Sequence, residues 1–259
     1  MKKILILLAI LSVGCSGNKR PGGLQLAPAD SAHANQNNTD KPLQAIVYGN
    51  IENLDSTDFM LIPLGLKTIA KENTTDAVRK SYYEGDESSV SYSSDSKYNF
   101  RVLTMSNCNN IIFYNKQTEE THLLLKQPAL ISSFYFPSYS TEYKGPKFYF
   151  LLLGIRDRDS NSDGYINTMD AEKVFISDLS GKKMTRLTPE NTQLMDWFID
   201  VPTNNILMYV RTNSHADKVF DVKDEISILK SSITNPGMGE EIIKADIKNS
   251  IKEILKQIQ

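Results

Sequence analysis

Two stretches of the chain align without a gap 54 positions apart. "LLLGIRDRDSNSDGYINTMDAEKVFI" begins at Leu151 and "NILMYVRTNSHADKVFDVKDEISILK" at Asn205. Asp159 faces Asn213, Asn161 faces His215, Asp163 faces Asp217, Ile166 faces Phe220 and Asp170 faces Asp224. Each copy reads as a strand, an acidic loop and a second strand. A fainter echo lies upstream, where "FYNKQTEETHLLL" matches "FISDLSGKKMTRLT" in form and "LISSFYFP" matches "LMDWFIDVP". A chain that reuses such a unit must cover each apolar face with the next unit, which points to stacked or radially arranged β units.

The rest of the body agrees. "QAIVYGNI" and "FMLIPLGL" are two strands able to pair as a hairpin. "NFRVLTM", "NIIFYN", "THLLLK", "LISSFYF", "KFYFLLLGI", "KVFISDL", "MTRLT", "LMDWFID", "NILMYV" and "EISILKS" follow. All are short, rich in β-branched and aromatic residues, and bounded by turn formers. "NTTDAVRKSYY" has the start and spacing of a short helix, and residues 84–97 read as a polar loop. At the end, Ile243, Ile247, Ile251, Ile254 and Ile258 recur at steps of three and four, which makes an amphipathic helix. Packing of that stripe against the sheet is the expectation, and a membrane surface or a partner is the alternative. The fold class is therefore mainly β: repeated antiparallel units, partial or small propeller-like, with a C-terminal amphipathic helix. The body spans 43–239 and the helix 240–259.

The first copy's loop, "DSNSDGYINTMD", carries chemistry. Calcium is a hard cation that takes six to eight oxygens, and a 12-residue loop supplies them from positions 1, 3, 5, 7, 9 and 12. Here these are Asp159, Asn161, Asp163, the main-chain carbonyl of Tyr165, Asn167 through a water, and Asp170. Gly164 stands where the chain must turn through a conformation that a Cβ resists, and Ile166 is placed to tie the loop to the core. The pattern resembles the EF-hand loop, most closely its dockerin form, and the resemblance implies one bound Ca²⁺. The flanking segments read as strands rather than helices, so neither a helix-rotating switch nor a cohesin partner is expected. In the second copy Lys218 replaces the glycine, while Asn213 and His215 replace stronger ligands; His215 is expected to be a solvated loop residue. One competent site, in loop 159–170, is the expectation.

"VFISDLSGKKMTRLTPENTQLMDW" resembles the blade repeats of periplasmic TolB-type β-propellers, in which strand, dipeptide, Gly, strand and Leu-Thr-Pro recur. The body has room for about four blades at most, and an open or partial propeller, or a twisted sheet capped by the helix, fits it as well as a small closed one. Trp197 within this phrase is expected to anchor the core.

The chain opens "MKKILILLAILSVGCSG". Lys2 and Lys3 precede an apolar run, Ile4 to Leu11, far short of the roughly 20 residues that span a bilayer. Residues 1–14 read as a signal peptide. Ser12-Val13-Gly14-Cys15 resembles the lipobox of bacterial lipoproteins, which implies a lipidated Cys15; ordinary secretion after a small-residue site is the rival reading. Residues 15–42, rich in Gly, Pro, Ala, Asn and Ser, then form a flexible tether with His33 as a solvated part of it. With Cys15 acylated, Cys108 has no partner for a disulfide and is expected to be a small buried residue.

Net charge is −2, so nothing points to nucleic acid. No nucleophile elbow, zinc-helix motif, P-loop or paired C-x-x-C occurs. The three histidines, His33, His122 and His215, lie far apart in sequence, with His122 expected on a solvent-facing strand position. These features favour a calcium-stabilised envelope lipoprotein that acts as a binding or scaffold module, held to the membrane by its lipid and engaging an envelope protein or glycan. An envelope hydrolase, glycan-acting for example, whose carboxylates come from distant parts of the chain is the alternative.

Overall fold

The computed structural model describes residues 24–25, 43–55, 57–69, 91–95, 100–104, 108–137, 144, 147–215 and 219–257. The expected signal peptide (1–14), Cys15, His33, most of the expected tether, the helix expected at 73–83 and Lys218 lie outside these residues.

The described chain is a succession of antiparallel meanders. After a short first strand, β1 (Leu24–Gln25), the first meander runs through β2 (Leu43–Tyr48), β4 (Phe59–Ile69), β7 (Asn110–Asn115) and β8 (Thr121–Leu123), with β3 (Glu52–Asn53) folded back on β4. The expected hairpin is present: Leu43 faces Ile69 and Tyr48 faces Leu64. A second meander follows in β9 (Leu130–Pro137), β10 (Phe150–Arg156), β12 (Lys173–Asp178) and β13 (Thr185–Arg186). The third is β14 (Thr192–Asp200), β15 (Asn205–Thr212), β16 (Glu225–Ser232) and β17 (Glu240–Glu241). β5 (Ser91–Asp95) and β6 (Phe100–Thr104) extend the middle sheet beyond β9. Among the described residues the strands form separate sheets and no closed barrel. Repeated antiparallel units are the architecture.

Alternation along the middle strands explains the stack. Leu151, Leu153 and Ile155 of β10 join Phe175 of β12 in a core that also holds Leu61, Ile111 and Phe113 of the first sheet. Phe150 and Leu152, with Val174 and Ile176, face the other way onto Ile199, Ile206, Met208 and Leu229 of the third. The middle strands are thus buried on both faces, which is why "FLLLGI" and "KVFIS" read as unbroken apolar runs. Trp197 meets Tyr135 edge-on at 4.3 Å, tying the third sheet to the second.

The sequence repeat is a structural repeat with a shifted register. Leu152 faces Ile176, whereas its equivalent Ile206 faces Ser231, one residue beyond the equivalent Lys230. Pairing in the first copy stops at Ile155 with Lys173, and in the second it continues to Thr212 with Glu225. The first loop is consequently longer between its last paired residues than the second.

Two expectations need correction. Residues 91–95, read as loop, form β5 against β6. They lie at a sheet edge, where main-chain pairing needs no apolar side chain and so leaves no periodic signal. The C-terminal helix α1 (Ala245–Lys256) does not pack into the core: none of its residues is buried, and Ile247, Ile251 and Ile254 are 51%, 45% and 59% exposed. Lys248 moors it through Glu225 at 3.2 Å and Glu241 at 3.0 Å. Periodicity shows that a helix carries an apolar face, not that its own chain covers that face. No helix among the described residues is long and apolar enough to cross a membrane.

Candidate metal centre

β10 and β12 deliver the first loop, and two polar contacts close its neck. Arg156 pairs with Glu172 at 2.8 Å and donates from Nε to the carbonyl of Asp170 at 3.0 Å. Gly154 lies beneath, where a Cβ would collide with the Glu172 carboxylate. These side-chain contacts stand where the second copy continues its main-chain pairing.

Within the loop, each acidic or amide side chain captures main-chain N–H groups. Asp159 accepts from Asp163 at 3.1 Å and from Gly164 at 2.8 Å; Asn161 Oδ1 accepts from Asp163 at 3.0 Å. Asp163 Oδ1 accepts from Tyr165 at 2.9 Å, and its Oδ2 from the Asn167 amide at 3.2 Å. Ser162 (φ 64°) and Gly164 (φ 86°) supply the left-handed steps that wrap the chain. A carboxylate offers about four lone-pair positions, so Asp159, Asn161 and Asp163 keep acceptor capacity after these bonds.

Asp170 is used differently. It is 2% exposed. Its Oδ1 accepts from the Ser160 N–H at 2.6 Å and hydroxyl at 3.1 Å, and its Oδ2 from the Asn167 N–H at 2.8 Å. Ser160 Oγ in turn accepts the Ala171 N–H at 2.7 Å. Asp170 therefore ties the loop's entry to its exit. Among the described residues no group of three or more His, Cys, Asp or Glu side chains gathers as a metal cluster. The first loop's oxygens are three carboxylates, two amides and a main-chain carbonyl, an all-oxygen set that suits a hard cation.

The second loop keeps the same tie. Asp224 Oδ1 accepts from the Ser214 N–H at 3.0 Å and hydroxyl at 3.1 Å, and Oδ2 from the Asp221 N–H at 3.1 Å. Asp221 Oδ1 accepts from Lys223 at 2.8 Å, as Asn167 Oδ1 accepts from Met169 at 2.7 Å. These bonds, the Ser214 N–H first, hold the Asp224 carboxyl down to about 2 against the opposing effect of burial. His215 is exposed, as expected, yet its Nδ1 lies 3.3 Å from Asp224 Oδ1.

No protein-family model matches the chain, and no curated protein matches it.

Three features of the site escaped the sequence reading. The first is Ser160, whose recurrence as Ser214 was the available signal. The second is Lys173, fully buried, whose Nζ donates to the Thr192 carbonyl and lies 5.7 Å from the centre of the Phe220 ring. Burial lowers its pKa to about 8, with Asp157 opposing and Arg158 and Arg186 assisting. Lys173 thereby links the exit of the first loop to the inward-facing aromatic of the second. The third is β11 (Tyr165–Ile166), which pairs antiparallel with β1: Leu24 faces Ile166 and Gln25 faces Tyr165. No sequence signal marked "LQ" as a strand.

Elsewhere, Cys108 is 1% exposed, donates from Sγ to the Asn110 carbonyl at 3.3 Å, and has its thiol pushed up to about 12 by burial. His122 corrects its expected place in solvent. It stacks on Phe113 at 5.2 Å and its Nε2 lies 2.8 Å from the Ser180 carbonyl, bridging the first and second sheets.

Proposed function

We propose that the chain is an exported bacterial lipoprotein whose stacked β units hold one structural Ca²⁺ in loop 159–170, and that it serves as a binding or scaffold module of the envelope. The observation that carries the calcium reading is the loop itself. Asp159, Asn161, Asp163, Tyr165, Asn167 and Asp170 stand at ligand spacing around a glycine at φ 86°, on two strands buried in the middle of the stack. An ion there would take oxygens from Asp159, Asn161 and Asp163, which keep acceptor capacity after their bonds to main-chain N–H groups. It fixes the turn as a structural clasp; no moving helix pair is required. A bound ion stabilises the fold by about 2.7 kcal/mol at a hundredfold excess over Kd.

The binding reading draws support from the outer face of the third sheet. Phe198, Tyr209 and Ile226 lie 41%, 42% and 51% exposed there, beside Leu207 and Ile228 on the same face by register. Exposed apolar faces of this kind mark partner sites. Membrane attachment is assigned to Cys15, and three four-stranded meanders accord with the propeller-like reading.

The test is a melting series of the soluble chain with calcium, with chelator, and with Asp163→Ala. Calcium should raise the melting temperature of the parent and leave the variant unmoved; three superimposable curves reject the metal assignment. Mass spectrometry of the mature protein should find an acylated Cys15, and an unmodified terminus there rejects the anchor.

A further inference from the structure

We propose that calcium in loop 159–170 latches the N-terminal segment onto the loop and so sets the length of the leash between body and membrane. The observation is the pairing of β1 with β11. β11 is not an ordinary sheet strand: it consists of the loop's seventh and eighth positions, and the carbonyl of the seventh is the main-chain ligand.

The two sides of β11 divide the work. The Tyr165 N–H goes to Asp163 Oδ1, inside the loop. Successive residues of a strand turn their main-chain groups to opposite edges, so Ile166 is the residue that presents N–H and C=O to Leu24. Its side chain, 2% exposed, is meanwhile fixed in the interior. An ion that draws in the Tyr165 carbonyl holds this dipeptide extended and ready to pair. With the ion removed, nothing draws the Tyr165 carbonyl inward, and the dipeptide loses that restraint. Latch and ion thus favour the same loop conformation, and each must tighten the other by the same factor.

The consequence rests on the proposed calcium site and on acylation of Cys15. Latched at Leu24, the body is held by nine residues beyond Cys15, which span about 30 Å at full extension. Released, it is held by the 28 residues from Cys15 to Leu43, which span about 95 Å. Calcium therefore draws the body in toward the bilayer, and its loss pays out the leash.

The experiment uses the mature chain with Cys15→Ser and spin labels at Gln25→Cys, in β1 itself, and Asn191→Cys; buried Cys108 does not compete for the label. With calcium, the pair should give one narrow distance distribution, and with chelator a broad one shifted to longer distance. Leu24→Pro removes the N–H needed for pairing without touching a loop ligand. It should broaden the distribution even with calcium and weaken Ca²⁺ binding, measured by calorimetry, at least about fivefold. Equal Ca²⁺ affinity in both proteins, or a distribution indifferent to calcium, overturns the latch and leaves the site intact. Absence of any Ca²⁺ binding removes the site and the latch together.

Discussion

Asp170 holds Ser160 by both its main-chain N–H and its hydroxyl, and Asp224 holds Ser214 in the same way 54 residues later. The shared element of the two loops is therefore a carboxylate tie, and the proposed calcium ligands are assigned to the first of them alone. Asp170→Ala strands the Ser160 and Asn167 N–H groups in a buried place, and hydrogen bonds to a charged acceptor each contribute about 1.5–3 kcal/mol. The expected loss is about 2–4 kcal/mol in urea unfolding, together with loss of the calcium response. Asp224→Ala should lower stability and leave the calcium response in place, which separates the tie from the ligands.

The Asp224 tie also has a pH signature. Its folded pKa of about 2 lies below the ordinary value near 4, so the folded state binds this proton less readily than the unfolded state. The stabilisation is fully present above about pH 4 and is lost as pH falls toward 2. Asp224→Asn should show a flatter decline than the parent across that window in acid unfolding followed by circular dichroism. Parallel curves would mean that the carboxylate is not held by these donors in solution.

Lys173 acts in the opposite pH range. Its pKa of about 8 lies below the ordinary value near 10.4, so between these values the unfolded chain keeps a proton that the folded chain has released. Stability from this group rises with pH through that window. Lys173→Met keeps the packing against Phe220 and removes the titration. The parent should gain on the variant by on the order of 1–3 kcal/mol between pH 8 and 10. A constant difference would place the ammonium in water.

Gly181 shows how closely the first and second sheets meet. It turns the chain from β12 to β13 at φ 72°, and a Cβ there would lie 2.6 Å from the Phe113 ring, on which His122 stacks. Gly181→Ala combines left-handed strain of about 1–2 kcal/mol with overpacking of about 1–3 kcal/mol. A loss of at least 2 kcal/mol is expected in urea unfolding, whereas Gly237→Ala, which meets nothing within 4 Å, should be nearly silent.

Burial explains what was legible in the sequence. β10 and β12 sit where their apolar runs put them because the stack covers them on both faces. The turn built by Asp159, Asn161 and Asp163 was legible because short polar side chains at this spacing reach nearby main-chain N–H groups. β1 and β5 were invisible: the one is two residues long, the other a polar edge, and main-chain pairing carries no composition. Lys173 was missed for a further reason. A lysine after a loop ordinarily reaches solvent, and only the neighbouring sheet, with Thr192 and Phe220, encloses it.

The C-terminal helix separates periodicity from packing most sharply. Its apolar stripe predicts burial, yet α1 contributes nothing to either core, and its mooring is Lys248 between Glu225 and Glu241 with a bond to Ser227 at 3.3 Å. Exposed ion pairs contribute about 0–1 kcal/mol, whereas burying one isoleucine side chain contributes about 1.5–3 kcal/mol. Truncation after Lys244 should therefore lower stability by less than about 1 kcal/mol, and Lys248→Ala should account for most of that. A loss above about 3 kcal/mol would require at least one isoleucine of the stripe to be covered in solution. Urea unfolding of the three chains decides between these outcomes, and the unfolding slope gives a second reading, since it grows with the surface a chain exposes on unfolding.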